Sequence, residues 1–137
     1  MEPISHKTIP FAVDGLVLLV AFDVTETQRM IHIVKAIAPN WTVANVSHMA
    51  GAQRYVAEAR SRSTPLPFAI FIEIELPPPQ LTKLLDWIDA QADLANARVL
   101  VISDAGPRPL HIASRCGRRI WILPKPVSAT FVAVALF

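Results

Sequence analysis

Two almost unbroken apolar runs, Leu16–Phe22 and Phe68–Ile74, constrain this chain more than any other feature. A helix or strand with one wet face must carry polar residues at regular intervals. These runs do not, so they are predicted as strands buried on both faces, as in a parallel sheet covered by helices. The second run delivers a carboxylate, Glu73, at its carboxyl end, four residues before Pro77.

The segments between and after these runs have helical or strand periodicity in alternation. Met30, Ile33, Val34 and Ile37 recur at helical spacing over 25–38, with Thr25 as the expected cap and Pro39-Asn40 as the break. Trp41–Val46 alternates as a second strand, and a helix follows from about Met49 to Arg60 through Met49, Ala52, Val56 and Ala59. Ser61–Pro67 is polar with two prolines and reads as a loop. Gln80–Gln91 lines up Leu81, Leu84, Leu85 and Ile88, and Pro79 suits its first turn. Arg98–Ser103 is the fourth predicted strand, Pro109–Cys116 a weak helix, and Arg119–Leu123 the fifth strand. Pro124-Lys125-Pro126 then leads into a terminal helix. Strands alternating with helices predict an α/β fold: a five-stranded parallel sheet sandwiched by helices, with right-handed crossovers.

Length and composition support one domain. The chain has 137 residues, 53% of them hydrophobic, which excludes a disordered segment. Residues 1–14 read as a lead-in and 15–137 as the domain, with the uncapped apolar tail expected to be a truncated last helix of an excised domain. Cys116 is the sole cysteine, so no internal disulfide and no cysteine-built metal site are expected, in keeping with the cytoplasm. Leu16–Phe22 and Val127–Phe137 are too short to span a bilayer, and no secretory leader pattern surrounds the first. His32, His48 and His111 have no partner at ligand spacing, and Trp41, Trp87 and Trp121 read as packing residues, Trp121 lying beside a basic run.

In an open parallel sheet, ligands bind beyond the carboxyl ends of the strands. Those ends are Asp23, Glu73, Ser103 and Lys125: two acids, a hydroxyl and a cation from four different strands. A second concentration of charge lies further along. The net charge is only +2, yet no acidic residue follows Asp104, whereas Arg108, Arg115, Arg118, Arg119 and Lys125 do. This run is either a solvated face balanced by carboxylates from elsewhere in the fold or a surface for an anionic partner, with Trp121 beside it for stacking.

The set Asp23, Glu73, Ser103 and Lys125 resembles the site of response-regulator receiver domains, and the likeness runs from about residue 15 to the end. That family implies a flavodoxin-like (βα)5 fold with an acidic pair after the first strand, Asp ending the third, Ser or Thr ending the fourth, and Lys-Pro after the fifth. Ser103 lies thirty positions after Glu73 and Lys125 twenty-two after Ser103, spacings similar to the family's. Pro124-Lys125-Pro126-Val127-Ser128 is similar to receivers of hybrid histidine kinases.

Three positions depart from the pattern. Phe22 stands at the first site of the acidic pair, Glu73 replaces the acceptor Asp, and Ile122 occupies the aromatic switch position of the fifth strand. Mg²⁺ demands tight octahedral oxygen geometry, so loss of one carboxylate weakens its site. Glu73 extends its carboxylate about 1.5 Å too far, and a displacement of that order costs roughly a hundredfold in rate. The expectation is a degenerate phosphoacceptor site without Mg²⁺, in a non-enzymatic pseudo-receiver. Such a module acts through contacts with other domains of its signalling protein, a kinase core or a second receiver, by the family's face of fourth helix, fifth strand and fifth helix. Two alternatives stand beside it. One is a sensor of an anionic nucleotide such as a cyclic dinucleotide, bound by Arg108, Arg115, Arg118, Arg119 and Trp121. The other is a working phosphoacceptor. DNA binding is not expected, because no recognition-helix motif accompanies the basic run.

Overall fold

A computed structural model describes residues 15–21, 23–73, 78–103, 110–113 and 117–136, with the side chains of 78–80 and 110–113 left aside. The elements run β1 (Leu16–Val20), α1 (Val24–Ile37), β2 (Thr42–Val46), α2 (Met49–Ser61), β3 (Ala69–Glu73), α3 (Pro78–Ala90), a 3₁₀ turn (Ala92–Leu94), β4 (Arg98–Ser103), β5 (Leu110–Ala113), β6 (Arg119–Pro124) and α4 (Ala129–Leu136). One sheet has the order β2-β1-β3-β4-β6-β5. Five strands, all but β5, are parallel, as the apolar runs predict.

The double burial of β1 and β3 is visible residue by residue. Val17, Leu19 and Phe71 face one side, packing with Met30 and Val34 of α1 and Val132 and Leu136 of α4. Leu18, Val20, Ile70 and Ile72 face the other, against Ala52 and Val56 of α2 and Leu84 and Ile88 of α3. Strand geometry sends successive side chains to opposite faces, so an unbroken apolar run is what a sheet between two helical layers needs. Burying each Leu or Ile stabilises the fold by roughly 1.5–3 kcal/mol.

The entrance to the sheet is set by one close packing. Trp41 is buried, lies edge-on to Phe68 at 5.0 Å between centroids, and accepts a hydrogen bond on its carbonyl from Lys35 Nζ. A Cβ on Gly15 would lie 2.8 Å from the Trp41 ring, so any larger residue there would displace that buried side chain.

Two expectations are corrected. The cap of α1 is Asp23 rather than Thr25, because the Asp23 carboxylate accepts from the Glu26 N–H at 3.0 Å. The weak helix at 109–116 is replaced by β5, which pairs antiparallel with β6 in the register Leu110↔Ile122 to Ala113↔Arg119. A four-residue strand after Pro109 covers the ladder edge that β6 would otherwise expose. Gly117 takes φ +80° in the connection, a left-handed conformation that glycine adopts at least cost. Among the described residues no helix is long and apolar enough to cross a membrane.

Candidate functional site

The sheet changes direction between β1 and β3: β2 lies on one side of β1, and β3, β4 and β6 lie on the other. A cleft opens at such a switch point, beyond the carboxyl ends of the strands. Asp23 follows β1 there, Glu73 is the last residue of β3, Ser103 the last of β4, and Lys125 follows β6 directly. The four residues of the sequence expectation therefore share one edge of the sheet.

Glu73 is at the centre of a closed set of contacts. Its side chain is fully shielded, and Oε2 takes Lys125 Nζ at 3.1 Å, with the lysine side chain only 15% exposed. Its Oε1 accepts the Asp23 N–H at 3.2 Å. Both carboxylate oxygens are thus engaged, one by a cation and one by the backbone. A buried carboxylate needs this, since leaving it unpaired in a poorly solvated site costs several kcal/mol.

Glu26 completes the set and was not among the sequence candidates. It is buried, at 7% exposure, and its Oε1 accepts the Val127 N–H at 3.3 Å, while Arg29 Nε lies 3.4 Å from Oε2. Asp23 and Glu26 have the spacing of a capping box, in which the acid at the third helical position reaches back to the cap's own N–H. Here that N–H goes to Glu73, and Glu26 turns to the loop after β6 instead. The Asp-x-x-Glu spacing was a legible signal for helix start, but nothing in it pointed to residue 127. The loop is held from two sides, through Lys125 to β3 and through Val127 to α1. Ser103 contributes its carbonyl, which accepts the Lys125 N–H at 3.1 Å.

His48 caps α2: its Nδ1 accepts the Gly51 N–H at 3.0 Å. Among the described residues, no group of three His, Cys, Asp or Glu side chains is placed to hold a metal ion. Phe22, Arg108, Arg115 and Cys116 lie outside the described residues.

Arg118, Arg119 and Trp121 do come together, but at the opposite end of the sheet. They line a groove of about 400 Å³ with Asn96, Arg98 and Leu136, at the amino-terminal ends of β4 and β6. Arg118 donates to Asp89 Oδ1 at 3.0 Å and to the Ala97 carbonyl at 2.6 Å, an ion pair with side chains only 10% and 7% exposed. Asp89 Oδ2 has no hydrogen-bond partner among the described residues. Arg98 Nε donates to the Leu136 carbonyl at 3.2 Å, and its guanidinium stands 5.7 Å from the Phe68 ring centroid. Arg98 belongs to this groove although sequence reasoning did not include it, because it lies before Asp104 and outside the basic run.

Comparison with solved structures identifies the fold. The chain is similar to the signal receiver domain of a signal transduction histidine kinase from Syntrophus aciditrophicus, at TM-score 0.62 and 18% identity over 89% of this chain and 86% of that one. It is also similar to a chemotaxis response regulator of Vibrio cholerae, at TM-score 0.65 and 14% identity over 90% of this chain and 97% of that one. A third is the receiver domain of a sensor histidine kinase from Pseudomonas aeruginosa PAO1, solved with a magnesium ion coordinated in its active site cleft. Here the TM-score is 0.61 and the identity 16%, over 90% of this chain and 95% of that one. No family model matches the sequence, and a search of curated proteins finds no match. The chain has the flavodoxin-like fold of response-regulator receivers.

Proposed function

We propose that this receiver-fold chain is a regulatory module of two-component signalling that works by contacts with other signalling domains and does not carry phosphate. The observation behind this reading is the engagement of Glu73. Its two oxygens meet Lys125 and the Asp23 N–H. An acceptor must present a carboxylate oxygen in line with the incoming phosphorus, beside a cation that neutralises the phosphoryl oxygens. Glu73 would have to leave both partners first.

The residues at this edge do not fit Mg²⁺ either. Octahedral coordination at short distance needs carboxylate oxygens that are free to turn toward the ion. Asp23 Oδ1 caps α1 and both Glu73 oxygens are engaged as described, so the second Asp23 oxygen alone is left to face an ion from these two acids. Similarity to receivers taken from two histidine kinases supports a place within a kinase-containing signalling protein. A kinase core or a second receiver is the partner in this reading, and the cytoplasm its location.

The test is intact mass of the chain after incubation with acetyl phosphate and Mg²⁺. No phosphoryl adduct is expected, and none on the Glu73→Gln variant. A stable adduct on Glu73 would overturn the reading.

A further inference from the structure

The geometry points to a second site: the groove between β4, β6 and α4 binds a small phosphate-bearing ligand with a planar ring, of mononucleotide size. It lies at the amino-terminal edge of the sheet, away from Glu73, and does not depend on the signalling role proposed above. Its volume of about 400 Å³ falls within the range of small-molecule sites, roughly 300–1,000 Å³.

The lining divides by chemistry. Arg98, Arg118 and Arg119 provide guanidinium groups, whereas Trp121, Val134 and Leu136 provide apolar surface. Among the described residues, no aspartate or glutamate lines the groove. Two negative features act nearby. Asp89 offsets Arg118, and the carboxyl end of α4 brings a partial negative charge that Arg98 meets at the Leu136 carbonyl. Arg98 and Arg119 have no carboxylate partner among the described residues, so an excess of positive charge remains for an anion.

Two of the arginines are already held in place. Arg118 is fixed by Asp89 and the Ala97 carbonyl, and Arg98 by the Leu136 carbonyl and the Phe68 ring. A guanidinium ordered before binding loses less conformational freedom when phosphate arrives, and its planar fork matches phosphate oxygens. Trp121 is half-buried at the groove wall, where an indole supports a nucleobase or similar ring. Phosphate recognition beside an aromatic surface describes a nucleotide better than a simple anion or an acidic peptide.

The experiment titrates the chain with the common ribonucleoside 5′-monophosphates, their uncharged nucleosides, and ribose 5-phosphate, read by calorimetry and tryptophan fluorescence. At least one monophosphate is expected to saturate below about 1 mM. Its nucleoside and ribose 5-phosphate should each bind at least about tenfold more weakly, since each lacks one half of the recognition. Arg119→Ala should weaken binding by roughly tenfold without lowering the melting temperature, because Arg119 is exposed. Trp121→Phe should remove the fluorescence response while leaving binding heat. Glu73→Gln should leave the affinity unchanged, which separates this site from the one at the opposite edge. Absence of saturable binding by every monophosphate would overturn the proposal, as would an Arg119→Ala affinity equal to the parent's. Tighter binding of heparin or a poly-glutamate peptide, with no preference for a ring, would also overturn it and leave only a basic surface.

Discussion

The Glu73–Lys125 contact should behave asymmetrically when its partners are removed one at a time. At 3.1 Å and an effective dielectric of about 20, the gross attraction is ~5 kcal/mol. Desolvation of both ions cancels much of it, so the net coupling should be ~1.5–3 kcal/mol. Lys125→Met leaves a fully shielded carboxylate without its ammonium, and should cost ~3–5 kcal/mol. Glu73→Gln retains an oxygen for the Asp23 N–H and leaves a lysine that is 15% exposed and able to turn to water. Its cost should be smaller, ~1–2.5 kcal/mol. The double variant should be less destabilised than the sum of the two single ones. Urea unfolding of all four proteins at neutral pH, followed by circular dichroism, measures the cycle. Equal costs for the two single variants, or simple additivity, would refute the placement of a buried anion held by a partly solvated cation.

Three further outcomes follow from other contacts. Gly15→Ala should destabilise by ~1–3 kcal/mol in the same unfolding assay, since its Cβ would enter the space of the buried Trp41 ring. Arg118→Met should cost ~2–4 kcal/mol, because Asp89, already with one oxygen unpartnered, would lose the cation on the other, and Asp89→Asn should lessen that loss. Acid unfolding should report Asp93, whose carboxyl is held below its ordinary value, first by the hydrogen bonds from Arg60 and then by its charge. A depressed folded value means that the stabilisation is present above about pH 4–5 and is lost as pH falls through the lowered value. Asp93→Asn should therefore flatten the acid limb of a stability-versus-pH curve, by a small amount because the pair is exposed.

Much of the architecture was legible along the chain because burial on both faces leaves a one-dimensional trace. Leu16–Val20 and Ala69–Glu73 lie between helical layers, so polar residues were excluded from them almost entirely. Arg98–Ser103 was predicted to the residue for the same reason. The segment at 110–113 reads as a helix in sequence because four residues carry too little periodicity to distinguish the two, and the demand for a strand comes from the edge of β6, a neighbour in space.

The order of the five parallel strands along the chain could be read without a structure, and with it the edge at which Asp23, Glu73, Ser103 and Lys125 gather. This follows because strand ends in a parallel sheet all point one way. What those groups do to one another depends on the packed fold. Glu26 reaches across 101 positions to the Val127 N–H, and Asp23 gives its own N–H to Glu73 rather than to its helix. Arg98 joins the basic groove through contacts with Phe68 and Leu136 that no local spacing encodes. Hydrogen bonds and ion pairs depend on distances of a few ångströms between remote segments, and those distances exist only once the layers have packed.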